Sequence, residues 1–101
     1  MARLVKRPRH SQVLAFCAED PFERVFLEDV ARRGLGRFAA VRDGGQLTAL
    51  LHLGANLVPS GPGSGAFAEL VAKGEPRMIV GEEEAVSELW EVVRDVFPEP
   101  L

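Results

Sequence analysis

Tyrosine is absent from the 101-residue chain, and cysteine and tryptophan occur once each. Without tyrosine there is no phenol to act as a proton donor. With Cys17 alone there is no intrachain disulfide and no cysteine-based zinc site. No apolar run approaches the roughly 18 residues that a membrane helix needs, and the first ten residues hold no signal-type apolar core. These absences lead us to expect a cytoplasmic protein with no membrane and no metal. Hydrophobic residues at 47% and charged residues at 27% are globular proportions, which excludes a disordered chain. A single domain over 1–101 is expected, with its core at about 11–97 and a linker onset in the Pro-Glu-Pro-Leu of 98–101.

The net charge of -3 argues against a nucleic-acid binder. Arg3, Lys6, Arg7 and Arg9 form a basic N-terminal arm without an acid or an interleaved aromatic, a pattern better explained by a solvated segment than by phosphate contacts.

Periodicity and punctuation divide the chain. Ala2 to Lys6 reads as a first strand, closed by Pro8. Ser11 is placed to cap a helix through Ala18, with Val13, Leu14, Phe16 and Cys17 apolar. Asp20, Pro21 and Glu23 then make a capping pattern for a second helix. Its face is Phe22, Val25, Phe26 and Val30, and its end is Gly34. Arg37 to Arg42 and Gln46 to Leu53 read as a hairpin about Asp43-Gly44-Gly45, with Leu47, Ala49, Leu51 and Leu53 on one face and Leu50 on the other. Ala55 to Pro59 is a further strand, and Ser60-Gly61-Pro62-Gly63-Ser64-Gly65 is a loop opening a helix that ends at Gly74 and buries Phe67, Leu70 and Val71. Pro76 to Val80 is a short strand. The last helix starts after Gly81, and Glu82, Glu83 and Glu84 favour its N-terminal dipole. Its buried face comprises Ala85, Val86, Leu89, Trp90, Val93, Val96 and Phe97. The order β-α-α-β-β-β-α-β-α predicts an α+β fold, a mixed and largely antiparallel sheet flanked by helices.

That order resembles the first two thirds of the GNAT acetyltransferase fold. The segment Gly54-Ala55-Asn56-Leu57-Val58-Pro59, with Asp20-Pro21-x-x-x-Val25-Phe26, Asp43-Gly44-Gly45, Ile79-Val80-Gly81 and Leu89-Trp90, resembles the domain of unknown function that precedes the catalytic domain in two-domain bacterial GNAT proteins. The resemblance implies a GNAT-like domain that lacks the last two strands of the fold and docks onto or regulates a GNAT catalytic domain, without chemistry of its own. Partners are then such a catalytic domain or a second copy in a homodimer, which would cover the open sheet edge. The alternative is a minimal acetyl-CoA-binding N-acetyltransferase completed by self-association.

In GNAT sites a Gln/Arg-x-x-Gly-x-Gly/Ala loop holds the coenzyme A pyrophosphate on backbone N–H groups. Ser60-x-x-Gly63-x-Gly65 has that spacing, with Ser60 in place of Gln or Arg and Pro62 removing one donor. Val58, Ser60, Gly61, Gly63, Ser64, Gly65 and Ala66 are thus the candidate acetyl-CoA or CoA contacts, set against a flexible loop with a capped helix. The acid and base common in the family are missing, since there is no tyrosine and no carboxylate over Ala55 to Pro59. His52 is the one candidate base, with a packed, hydrogen-bonded core histidine as the plainer reading. Cys17 reads as a buried apolar residue rather than a nucleophile. Gly54, Asn56 and Pro59 form a structural motif, in which Asn56 would tie off backbone groups where parallel strands splay or, alternatively, touch a pantetheine-like amide chain.

Overall fold

The computed structural model describes residues 2–74 and 78–94. Four strands form one antiparallel sheet in the order β1-β2-β3-β4, comprising β1 (Ala2–Val5), β2 (Arg37–Asp43), β3 (Gln46–Leu53) and β4 (Leu57–Ser60). Helices α1 (His10–Ala18) and α2 (Val25–Arg33) separate β1 from β2. A 3-10 turn at Ser64–Phe67 leads into α3 (Ala68–Lys73), and α4 (Glu83–Val93) follows. The architecture is α+β, as the alternating periods predict.

Two apolar clusters hold helices to opposite faces of the sheet. Val13, Phe16, Cys17, Leu27 and Ala31 of α1 and α2 pack on Ala40, Leu47 and Leu50. Phe67, Val71, Leu89 and Val93 pack on Ala39, Val41, Ala49 and Leu51. Strand β3 is therefore covered on both sides, as its apolar run requires. A strict alternation would set Leu47 with Ala49 and Leu51, yet Leu47 lies with Leu50. The cause is a bulge: Val41 faces Ala49 and Arg42 faces Leu47, so Thr48 is the extra residue, and its hydroxyl donates to the Val41 carbonyl at 3.3 Å. One inserted residue exchanges the faces of everything before it. The hairpin closes through Gly44 and Gly45, with Gly44 at φ 66, the left-handed conformation that such a turn demands.

Helix α2 departs from expectation at its start. Asp20 does accept a hydrogen bond from the Glu23 N–H at 3.4 Å, and the Arg24 N–H bonds to the Asp20 carbonyl. These bonds close a turn, and the helix itself begins at Val25. Arg24 points inward, its side chain only 11% exposed, so the buried positions follow it at helical spacing as Leu27, Val30 and Ala31. Phe22, Val25 and Phe26 are turned out to the surface, Phe22 to 93% exposure. Helix α4 likewise buries Ala85, Leu89 and Val93, while Trp90, expected in the core, is exposed. Val96 and Phe97 lie outside the described residues, as do residues 98–101.

Strand β4 starts at Leu57 rather than Ala55, and Asn56 belongs to the preceding bend. On its outer side the Leu57 N–H donates to the Met78 carbonyl at 2.9 Å and the Leu57 carbonyl accepts from the Val80 N–H at 3.0 Å, a parallel bridge between Leu57 and Ile79. The next residue of β4 to face that side is Pro59, which has no N–H to offer, so the ladder ends there. Among the described residues the strand expected over Pro76 to Val80 is thus reduced to the bridge at Ile79; Pro76 and Arg77 lie outside them.

Phe67 and Phe22 have the same side chain in opposite surroundings, the former fully buried. Phe67→Ala should cost about 3–5 kcal/mol in urea unfolding, whereas Phe22→Ala should stay within about 0.5 kcal/mol of the parent.

Candidate functional site

The glycine-rich loop runs from the end of β4 to the 3-10 turn, and its three glycine amides are already engaged. The Gly61 N–H donates to Glu82 Oε1 at 3.3 Å. The Gly63 and Gly65 N–H groups donate to the two oxygens of Glu88 at 3.2 and 3.1 Å. The Ala66 N–H bonds to the Gly63 carbonyl, and the buried Ser64 hydroxyl to the Gly61 carbonyl. A carboxylate with two oxygens spanning two N–H groups takes the place that a phosphate would need. The adjoining cavity, about 260 Å³, is lined among the described residues by Arg24, Gly61, Pro62, Glu82, Glu84, Ala85 and Glu88, three carboxylates against one guanidinium, which opposes an incoming pyrophosphate.

Arg24 organises the other side of the loop. Its guanidinium lies 3.7 Å from the centre of the Phe16 ring. Nη1 donates to the Phe16 carbonyl at 2.7 Å, and Nε donates to the Ser60 hydroxyl at 3.1 Å. Ser60, itself buried, donates to Glu82, and Arg24 Nε stands 3.8 Å from the same carboxylate. The charge is paired, and Nε and Nη1 are hydrogen-bonded, which favours holding the group out of water.

His52 is packed on every side. The ring is 5% exposed, and its centroid is 4.9 Å from that of Phe38 and 5.9 Å from that of Phe26. Nε2 lies 2.7 Å from the Leu35 carbonyl oxygen, an atom that can only accept, so Nε2 carries the proton. Nδ1 is buried with no partner among the described residues. Two glycines make room for the ring. At Gly36, with φ 70, a Cβ would sit 2.6 Å from Nε2, and at Gly54 a Cβ would sit 2.7 Å from Cε1. Gly54 therefore clears a ring, in addition to shaping the bend before β4.

Asn56 is exposed at the rim of a cavity of about 270 Å³, lined also by Phe26, Leu27, Val58, Pro59 and Val80. It does not tie off the strand junction, because Leu57, Met78 and Val80 do so through their backbones. Val58 is buried between this cavity and the core. Cys17 is fully buried, and burial, helped by Glu28 and opposed by Arg24 and Arg32, pushes its thiol up to about 11. Among the described residues no cluster of three His, Cys, Asp or Glu is able to hold a metal, and no helix is long and apolar enough to cross a membrane.

Sequence reasoning brings Ser60, Gly61, Gly63, Ser64, Gly65 and Ala66 to one loop and misses Arg24 and Glu88, which organise it. Both make their decisive contacts across at least 23 positions, and neither belongs to a motif. Glu82 is part of the acidic run assigned to the helix dipole, and its position directly before α4 was the available signal.

The fold and the loop together define a small α+β domain whose glycine loop is closed by its own carboxylates. Residues 36–100, more than half of the chain, match the family described as Domain of unknown function (DUF4081), and the chain belongs to that family. No curated protein and no solved structure matches it.

Replacing Glu88 with Ala should accelerate hydrogen exchange at the Gly63 and Gly65 amides roughly tenfold, with the Leu50 and Leu51 amides unchanged. Cys17 should stay inert to a thiol-specific disulfide reagent at pH 8 until the chain unfolds. Because its folded value lies above the ordinary thiol value of 9.0, the stability it contributes is complete below pH 9 and is lost as pH rises toward 11. Cys17→Ala should flatten that slope in a pH series of urea melts.

Proposed function

We propose that this chain is a non-catalytic, GNAT-related accessory domain that docks onto or regulates an acetyltransferase catalytic domain. The observation that carries the reading is the occupation of the Gly61, Gly63 and Gly65 amides by Glu82 and Glu88. A loop of the right spacing for a coenzyme A pyrophosphate is spent on internal carboxylates. The chemistry around it agrees: His52 is enclosed and tied to a carbonyl, Cys17 is buried and protonated, and tyrosine is absent. The parallel contact at Ile79 and its interruption at Pro59 are what a GNAT-like sheet would have at the start of its splayed strand pair. Phe22, Val25 and Phe26 supply exposed apolar surface for docking.

One observation favours the second reading, a minimal acetyl-CoA-binding N-acetyltransferase completed by self-association. The 270 Å³ cavity beside Pro59 is largely apolar, and strand alternation turns the Pro59 carbonyl toward it, where an amide-bearing arm would find an acceptor.

Calorimetric titration of acetyl-CoA and CoA separates the two. The accessory reading expects no binding at about millimolar ligand. Micromolar binding that Gly63→Val abolishes would overturn it and establish cofactor binding at the loop.

A further inference from the structure

A cavity of about 380 Å³ lies away from the glycine loop, between the segment preceding α1, the end of α2 and the start of β2. Its apolar lining includes Val13, Val30, Ala31, Leu35 and Phe38. Among the described residues that line it, every ionisable one is basic: Arg7, His10 and Arg37. In a chain of net charge -3 that is a local reversal of sign. Arg32, Arg33 and Arg94 each lie on a neighbouring carboxylate. The side chains of Arg7, His10 and Arg37 have no hydrogen-bond or ion-pair partner among the described residues.

These three residues are fixed by backbone rather than by side-chain pairing. Arg7 precedes Pro8, which restricts it to extended geometry. His10 opens α1, and Arg37 opens β2 opposite Leu53. The two arginines, with Lys6, also border an adjoining cavity of about 150 Å³, so the positive rim extends beyond the first cavity. An apolar floor with guanidinium groups at its margin is complementary to a molecule with an apolar body and an oxyanion at one end. The basic N-terminal segment thereby acquires a use that its sequence, read as a solvated arm, did not suggest.

We infer that this cavity binds an amphiphilic anion, an acyl or aryl body held on the apolar floor with its oxyanion held by Arg7 and Arg37. The assignment is independent of the accessory-domain reading. The test is calorimetry on the full chain with octanoate, octyl phosphate, octanol and acetate, joined to methyl NMR spectra of the unmodified protein. Octanoate should bind with a dissociation constant at or below roughly millimolar and shift the methyl signals of Val13, Val30 and Leu35. Octanol, which lacks the charge, and acetate, which lacks the tail, should each bind at least about tenfold more weakly, and the double variant Arg7→Ala/Arg37→Ala should lose about the same factor. Both arginines are exposed, so the variant should keep the parent's circular dichroism and melting temperature. Tighter binding of octyl phosphate than of octanoate, still lost in the double variant, would identify the oxyanion as a phosphate monoester and support the site. The proposal fails if octanoate gives no heat at about 10 mM, if octanol binds equally well, if the double variant binds unchanged, or if the shifted methyls lie elsewhere.

Discussion

Arg24 is the point on which the upper half of the domain turns. Its guanidinium lies over the Phe16 ring of α1, bonds to the Phe16 carbonyl, reaches Ser60 at the end of β4 and faces Glu82 ahead of α4. Four elements from different parts of the chain meet on one planar cation. A group so little exposed is tolerable only while its donors and its charge are satisfied, which constrains the positions of Ser60 and Glu82 together. Glu82 in turn holds the Gly61 amide, so the course of the loop follows from a residue 37 positions earlier in the sequence. The same inward side chain sets the rotation of α2 and sends Phe22 and Phe26 outward.

The elements that sequence predicts well are those whose signals are local. The hairpin about Gly44, the extent of β3 and the stop of α2 at Gly34 need only turn chemistry and period, and the structure has them where the residues suggest. What escapes is phase. The bulge at Thr48 inserts one residue into an even alternation and carries Leu47 across the sheet, and no residue near it announces a bulge. The turn at Asp20 satisfies a helix-capping pattern yet delays the helix to Val25, because burial of Arg24 outweighs the preference of an apolar stripe for the core. At the loop the glycine spacing is visible, but the occupant of the amides is not, since Glu88 is one of several acidic residues on an exposed helix face and only tertiary structure brings it to Gly63.

Charge is segregated in a way that the overall balance conceals. The cavity beside the glycine loop is lined by Glu82, Glu84 and Glu88, and the larger cavity beyond the end of α2 by Arg7, His10 and Arg37. The two concave regions therefore present opposite potentials to small ions, and an anion repelled from the first is drawn to the second. In the His52 core, Gly36 and Gly54 give up side chains so that an imidazole can be enclosed.

Pro59 carries a consequence for assembly. An outer strand normally presents a row of donors and acceptors on which a foreign strand can grow. Here the row is broken after one bridge, because the residue that should continue it is an imino acid. Growth of the sheet by further strands is arrested on that side, and a protein meeting the domain there must recognise the shape and chemistry of its side chains instead of copying its backbone register.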